Sequence, residues 1–157
     1  MRRIRKKFKN PRMSWDSVEI AERRKILNEY GLRRRREILI AQEILRNFRR
    51  RARELIAQKD EKKMKALLDR LVKLGLLKPE QGLDDVLALK VGNILERRLQ
   101  TVVWKKGLAK TAKQSRQLIT HGHIAIEGRK VKSPAYLVPV TEETTISIMG
   151  TLKGEDA

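Results

Sequence analysis

The side chains able to do chemistry are overwhelmingly cationic. There are 38 Lys and Arg against 19 Asp and Glu, a formal net charge of +19 over 157 residues. They come in clusters. Arg2, Arg3, Arg5, Lys6 and Lys7 open the chain, and Arg33, Arg34, Arg35 and Arg36 form an unbroken run. Arg46, Arg49, Arg50 and Arg53 follow at helical spacing, then Arg97, Arg98, Lys105, Lys106, Lys110, Lys113 and Arg116, and last Arg129 and Lys130. Charge of this density repels itself unless it is screened, so a polyanion is the natural partner. Guanidinium forks and ammonium groups are both phosphate ligands. Residues 1–53 hold 19 basic and 6 acidic side chains, so the first third carries most of the excess.

Other chemistries find little support. The chain has no cysteine, which excludes disulfides, thiol catalysis and Cys-based zinc. His121 and His123 are the only imidazoles, and no carboxylate joins their His-Gly-His spacing. Packing or nucleic-acid contact explains them better than a metal site. Glu142-Glu143 reads as a turn and not as an acid–base pair. Neither a metal nor a cofactor is expected, and no small-molecule substrate. No apolar run approaches the ~20 residues of a membrane span. The basic start lacks an apolar segment behind it, so a signal peptide is not expected. Aromatics are 4% of the chain, too few for an anionic-lipid reading of the charge. A soluble, cytoplasmic protein is the expectation.

Periodicity places these residues on elements. A helix is expected from about Ser14–Asp16 to Tyr30, closed by Gly31-Leu32. The next runs from about Arg33 to Gln58, with Ile38, Ala41, Ile44/Leu45, Phe48, Ala52 and Leu55 in one stripe. Arg46, Arg49, Arg50 and Arg53 lie off that stripe. Cations at a helix start oppose the macrodipole, so the Arg33–Arg36 run calls for compensation, which phosphate supplies better than solvent. A third helix covers about Asp60 to Leu74 and ends in Gly75-Leu76. Asp84 is expected to cap a short helix through Leu89. A fifth is expected from about Val91 to Lys105, stopping at Gly107-Leu108. Thr111 to Gln114 has the form of a capping box opening a helix to His121. Lys113 and Arg116 share one face of that helix.

The period then falls to two. Ile124, Ile126 and Val131 surround Glu127-Gly128, a candidate two-residue turn. Tyr136 to Val138 and Thr144 to Met149 are expected to add strands. Trp15 and Trp104 could stack on bases, although Trp104 continues an apolar helix face and so reads as core.

Several segments resemble a known family. Glu96-Arg97-Arg98-Leu99-Gln100-Thr101-Val102-Val103, Gly107-Leu108-Ala109-Lys110-Thr111, Arg116-Gln117-Leu118-Ile119 and His121-Gly122-His123-Ile124 resemble the RNA-binding module of the ribosomal protein S4 family. Gly128 to Pro134 continues the likeness, and Trp15, Tyr30-Gly31-Leu32 and Leu83 to Leu87 resemble its archaeal and eukaryotic branch. The short stretch after Met149 points to the archaeal type. The chain departs from the pattern at Glu127, where Asn is common, and at Ala112, where a basic residue is common. The zinc cysteines of some bacterial members are absent.

The resemblance implies a structural component of the small ribosomal subunit, a primary binder of its RNA where helices of the 5′ domain meet. It also implies neighbouring small-subunit proteins near the messenger entry side. The expected fold class is α+β, a mostly helical N-terminal domain plus a small C-terminal RNA-binding module of helices and a short, strongly twisted β-sheet. The expected division is a basic extended arm at 1–13, a helical basic domain at 14–90, an S4-type module at 91–149 and a flexible tail at 150–157. A stand-alone S4-module regulator of transfer RNA or stalled ribosomes shares this chemistry. An RNA-modifying enzyme with such a module is the reading from another class, and residues 1–90 read as helical and basic, with no Gly-rich phosphate loop and no signature Asp in an apolar strand.

Overall fold

The computed structural model describes residues 7–13 and 15–149. Arg2, Arg3, Arg5 and Lys6 of the expected arm, and the expected tail, lie outside the described residues. Helix α1 spans Ser17–Glu29, α2 Arg35–Gln58, α3 Glu61–Lys73, α4 Leu83–Ala88, α5 Val91–Glu96, α6 Leu99–Lys105 and α7 Ala112–His121. Strands β1 (Ile124–Ile126) and β2 (Arg129–Lys130) follow, then the single turn α8 (Val140–Glu143) and β3 (Ile146–Ile148). The sheet is antiparallel with order β2-β1-β3. The fold class is therefore α+β.

The apolar stripe of α2 organises the first core. Ile38, Ala41, Leu45, Phe48, Ala52 and Leu55 are buried along it, joined by Leu67 and Leu71 of α3, Val86 of α4 and Ile94 and Leu95 of α5. Burying such side chains is worth roughly 1.5–3 kcal/mol each before chain entropy is subtracted. A second core joins Leu99, Val102 and Val103 of α6 to Leu118 and Ile119 of α7 and to Ile124, Ile126, Val138 and Ile146.

The helix ends follow local chemistry. Asp16 caps α1, its carboxylate accepting from the Val18 N–H at 3.0 Å. After α1 the Leu32 N–H donates to the Leu27 carbonyl at 2.9 Å, and Leu32 is buried in the first core. The Gly-Leu pairs after α3 and α6 close in the same way, through Leu76 N–H to Leu71 O and Leu108 N–H to Val103 O. Thr111 caps α7, accepting from the Gln114 N–H at 3.1 Å. The Gln114 side-chain Oε1 reaches one residue further back than a standard box, accepting from the Lys110 N–H at 2.8 Å.

Three expectations need correction. The cap of α4 begins at Gly82, whose N–H donates to Asp85 at 3.0 Å, so Asp85 and not Asp84 performs the capping. The helix expected over 91–105 is broken at Arg97-Arg98. Its two halves serve different cores, with Ile94 and Leu95 in the first and Leu99, Val102 and Val103 in the second, and one straight helix could not feed both. The segment expected as a strand at 136–138 makes a single bridge, Leu137 with Arg98. It closes the break instead. The Tyr136 carbonyl accepts from the Leu99 N–H at 2.7 Å, and the Val138 N–H donates to the Arg97 carbonyl at 2.9 Å. Buried backbone groups freed by a helix break require such partners. The Thr101 hydroxyl adds another, donating to the Leu95 carbonyl at 2.8 Å.

The hairpin turn is resolved by its dihedrals. Glu127 has φ 49° and Gly128 φ 77°, with Ile126 opposite Arg129. Two positive φ values in a two-residue loop are the type I′ pattern that suits strand twist.

Candidate nucleic-acid interface

The two cores meet at a polar seam built around Glu37, in the first turn of α2. Its carboxylate accepts from the backbone N–H groups of Arg33 and Arg34, each at 3.3 Å. An N-terminal carboxylate thus serves two of the free N–H groups at the helix start, although no side chain of the Arg33–Arg36 run pairs with it. The same carboxylate takes Arg98 Nη2 at 2.5 Å and Arg116 Nη1 at 3.0 and 3.1 Å. Burial alone would raise the Glu37 carboxyl, but the hydrogen bonds and charges of Arg116 and Arg98 together outweigh it and hold it below the ordinary carboxylate value. Burial draws the Arg98 guanidinium down, opposed by its bond to Glu37.

Gln100 lies beside this group with no exposed surface. Its amide nitrogen donates to the carbonyls of Tyr30 at 3.1 Å, Gly31 at 2.9 Å and Ala112 at 2.9 Å. The Ser115 hydroxyl, also buried, donates to the Gln100 backbone carbonyl at 2.6 Å. Gly31 has φ 58°, and a Cβ there would stand 2.8 Å from Ala112 Cβ. The start of α7 therefore rests directly on the turn between α1 and α2. The small Ala112, where the S4 pattern often has a basic residue, fits this close approach.

The seam fixes where the expected site residues stand. Arg33, Arg34 and Arg36 are exposed and Arg35 half-buried at the start of α2. Lys110 and Lys113 are exposed at the start of α7, next to the turn that carries them. These two clusters from opposite halves of the chain are thus neighbours across Glu37. Lys105 is exposed and 3.5 Å from Glu96, and the exposed Lys106 donates to the Glu143 carbonyl. Arg129 and Lys130 are exposed on β2, the sheet's edge. Lys7 is exposed, and the Arg36 guanidinium lies 5.4 Å from the ring centroid of the half-buried Phe8. Arg46, Arg50 and Arg53 are exposed on α2, with Arg46 on Glu43 at 2.6 Å and Arg50 near Glu54 at 3.7 Å. Arg49 is half-buried, donating to the Leu89 carbonyl at 2.5 Å.

Three further residues expected on the basic surface have other duties. Arg98 is only 4% exposed and ends on Glu37. Arg97 is half-buried, donating to Glu143 and to the Val138 carbonyl, both at 2.8 Å. Arg116 is half-buried on Glu37. The helical spacing that put Lys113 and Arg116 on one face was sound. It carried no information about Glu37, 79 residues away along the chain.

Glu37, Gln100, Thr101 and Ser115 were not singled out from the sequence. Their signals were present. Glu37 stands at the third helical position of α2, where a capping carboxylate belongs. Ser115 falls on the face defined by Ala112, Leu118 and Ile119, and a polar residue on an inward face needs a buried partner.

Trp15 is 91% exposed and Trp104 half-buried. The rings of His121 and His123 are 6.5 Å apart, and among the described residues no three His, Cys, Asp or Glu are grouped to hold a metal ion. No helix among the described residues is long and apolar enough to cross a membrane.

Comparison with known proteins agrees with this architecture. Residues 97–143 match the S4 domain family, starting at the break between α5 and α6. A small ribosomal subunit protein uS4 from Ignicoccus hospitalis is 54% identical, over 92% of this chain and 89% of its own length. The proteins of the same name from Saccharolobus solfataricus and Methanoregula boonei are each 48% identical over 92% of this chain, covering 82% and 83% of their own lengths. Identity at this level over nearly the whole chain includes the helical half as well as the S4 domain, and on that ground the chain belongs to the small ribosomal subunit protein uS4 family, archaeal type.

Proposed function

We propose that this chain is a structural component of the small ribosomal subunit. It binds small-subunit ribosomal RNA and helps organise the 5′ domain of that RNA. One observation carries the reading: the basic start of α2 and the basic start of α7 stand side by side, held by the Glu37 seam. Two clusters 70 or more residues apart in sequence become a fixed array. A preformed array of cations matches phosphates at the meeting of RNA helices without first having to be ordered. Exposed Arg33, Arg34, Arg36, Lys110 and Lys113 form its centre, with Lys105, Arg129 and Lys130 on the S4 domain and Arg46, Arg50 and Arg53 on α2. RNA duplexes hide base edges in a deep groove, so such an array reads backbone shape more than base identity.

In this reading the protein works in the cytoplasm as part of the subunit, beside other small-subunit proteins near the messenger entry side. It takes no cofactor, performs no catalysis and has neither a membrane nor a small-molecule partner. A stand-alone regulator of transfer RNA would use the same S4 domain, but the relatives' name and the helical half they share favour the subunit. Sedimentation of cell extract through a sucrose gradient separates the two. The protein is expected in the small-subunit fractions at about one copy per particle, and its presence only in the free fractions would refute the proposal.

A further inference from the structure

We infer that the exposed indole of Trp15 is a stacking platform for an unpaired nucleobase of the RNA. The inference rests on the RNA-binding reading above and adds an uncharged contact to it, directed at a base and not at a phosphate.

Trp15 is 91% exposed, and Met13 and Val18 are 74% and 65% exposed. Of the seven large apolar side chains exposed among the described residues, these three fall within six positions of the chain. Single exposed apolar residues are ordinary, but a group of them that includes a tryptophan marks a contact surface.

Local chemistry offers Trp15 a partner inside the chain, and the fold does not use it. Asp16 is the N-cap of α1, so Trp15 stands one position before the cap. An apolar residue there commonly packs on the fourth helical residue as a hydrophobic staple, and that residue is Ile20. With 91% of its surface open, the indole makes no such staple. The backbone that carries it is nevertheless anchored. The Asp16 carboxylate accepts from the Val18 N–H and the Asp16 carbonyl from the Ile20 N–H, both at 3.0 Å. A ring presented from a fixed helix start costs less to order in a complex.

The surroundings of Trp15 indicate what covers it. Residues 7–13 hold Lys7, Lys9 and Arg12, all exposed, and no acidic side chain. A partner for this patch must bring an apolar face and negative charge together. A nucleotide does so in one unit, the base supplying the flat face and the backbone the charge. A protein partner would need an apolar patch bordered by several acids. In paired RNA the base faces are covered by their neighbours in the stack, so the open ring suits an unpaired base. Trp104 is half-buried on α6 and offers no comparable face.

The test uses the full chain and a small-subunit ribosomal RNA fragment that includes the 5′ domain. In the otherwise natural sequence, Trp15→Ala should lower affinity by about five- to a hundredfold. The melt should stay unchanged, because the ring is exposed. The slope of log K against log salt should also stay unchanged, because the indole neutralises no phosphate. Trp15→Phe keeps an aromatic face and should recover most of the lost affinity. For fluorescence, Trp104→Phe leaves Trp15 as the single indole of the two in the sequence. The RNA fragment should quench its emission and shield it from acrylamide, and a continuous RNA duplex of equal length should do neither. Wild-type affinity in Trp15→Ala, a reduced salt slope in that variant, or emission indifferent to the fragment would overturn the stacking and leave the proposed function standing. Shielding of Trp15 in the intact subunit but not by the RNA fragment would overturn it in favour of a protein partner. Failure of the wild type to bind RNA would overturn both.

Discussion

Glu37 shows what a single residue contributes here that a list of cations does not. Its depressed carboxyl fixes the sign of a pH effect. A folded value below the unfolded one, about 4.3, means that its stabilisation is fully present above that value and is lost as pH falls through the folded value. Glu37→Gln keeps the shape and removes the charge, leaving buried Arg98 without its counter-ion. At neutral pH the variant should lose on the order of 3 kcal/mol of stability. The gap between wild type and variant in thermal melts should narrow as pH drops below about 4. A gap that stays constant with pH would assign the loss to something other than the charge.

The same residue separates two cationic probes that looked equivalent in the sequence. Lys113→Ala should weaken RNA binding and cut the salt slope by about 0.7–0.9 with an unchanged melt. Arg116→Ala should lower the melting temperature, because it removes a guanidinium from Glu37. Equal melts for both variants, measured with RNA affinity on the same samples, would contradict this division. The sequence exposed the type and helical phase of these residues. It did not expose their burial, since a salt bridge across 79 positions leaves no trace in local spacing.

Among the elements, those with long periodic patterns were legible and those defined by tertiary pairing were not. The stripe of α2 and the Gly-Leu stops of α1, α3 and α6 follow from local rules, and they stand where the pattern put them. The break at Arg97-Arg98 has no glycine or proline to announce it. It exists because α5 and α6 feed separate cores, a fact of packing. The stretch 136–138 alternates enough to suggest a strand, yet its backbone is used to close that break.

The turn after α1 also carries a prediction. Gly31 and Gly107 both have positive φ, so alanine strains either by about 1–2 kcal/mol. Only at Gly31 would the new methyl meet backbone and Cβ of α7, at 2.8–3.1 Å, whereas Gly107 faces open space. Gly31→Ala should therefore destabilise clearly more than Gly107→Ala and should also reduce RNA affinity, by prising α7 from α2. Equal losses in denaturant titrations would mean that the close approach does not matter.

At the scale of the whole molecule, charge and family resemblance were readable from sequence, and the dependence of the two halves on each other was not. A C-terminal module of residues 91–149 looks self-sufficient from its own apolar positions. Its first helix, however, buries Ile94 and Leu95 in the other core. Excision would also strip Gln100 of two carbonyl partners and Arg98 of Glu37. Each buried polar group left unpaired costs about 1–3 kcal/mol. The isolated 91–149 fragment should accordingly unfold at a much lower denaturant concentration than the full chain, with circular dichroism as the readout. Equal midpoints would show that the seam contributes nothing to stability.

In the proposed function the seam also sets the spacing of the α2 and α7 cations offered to RNA. A hydroxyl-radical footprint of the full chain on small-subunit ribosomal RNA tests that account most directly. The account predicts a compact set of protected backbone positions in the 5′ domain, drawn from more than one RNA helix, and it predicts that Glu37→Gln loses the protections of one helix before the other. An absence of protection at stoichiometric protein, or protections scattered along single-stranded regions, would contradict it.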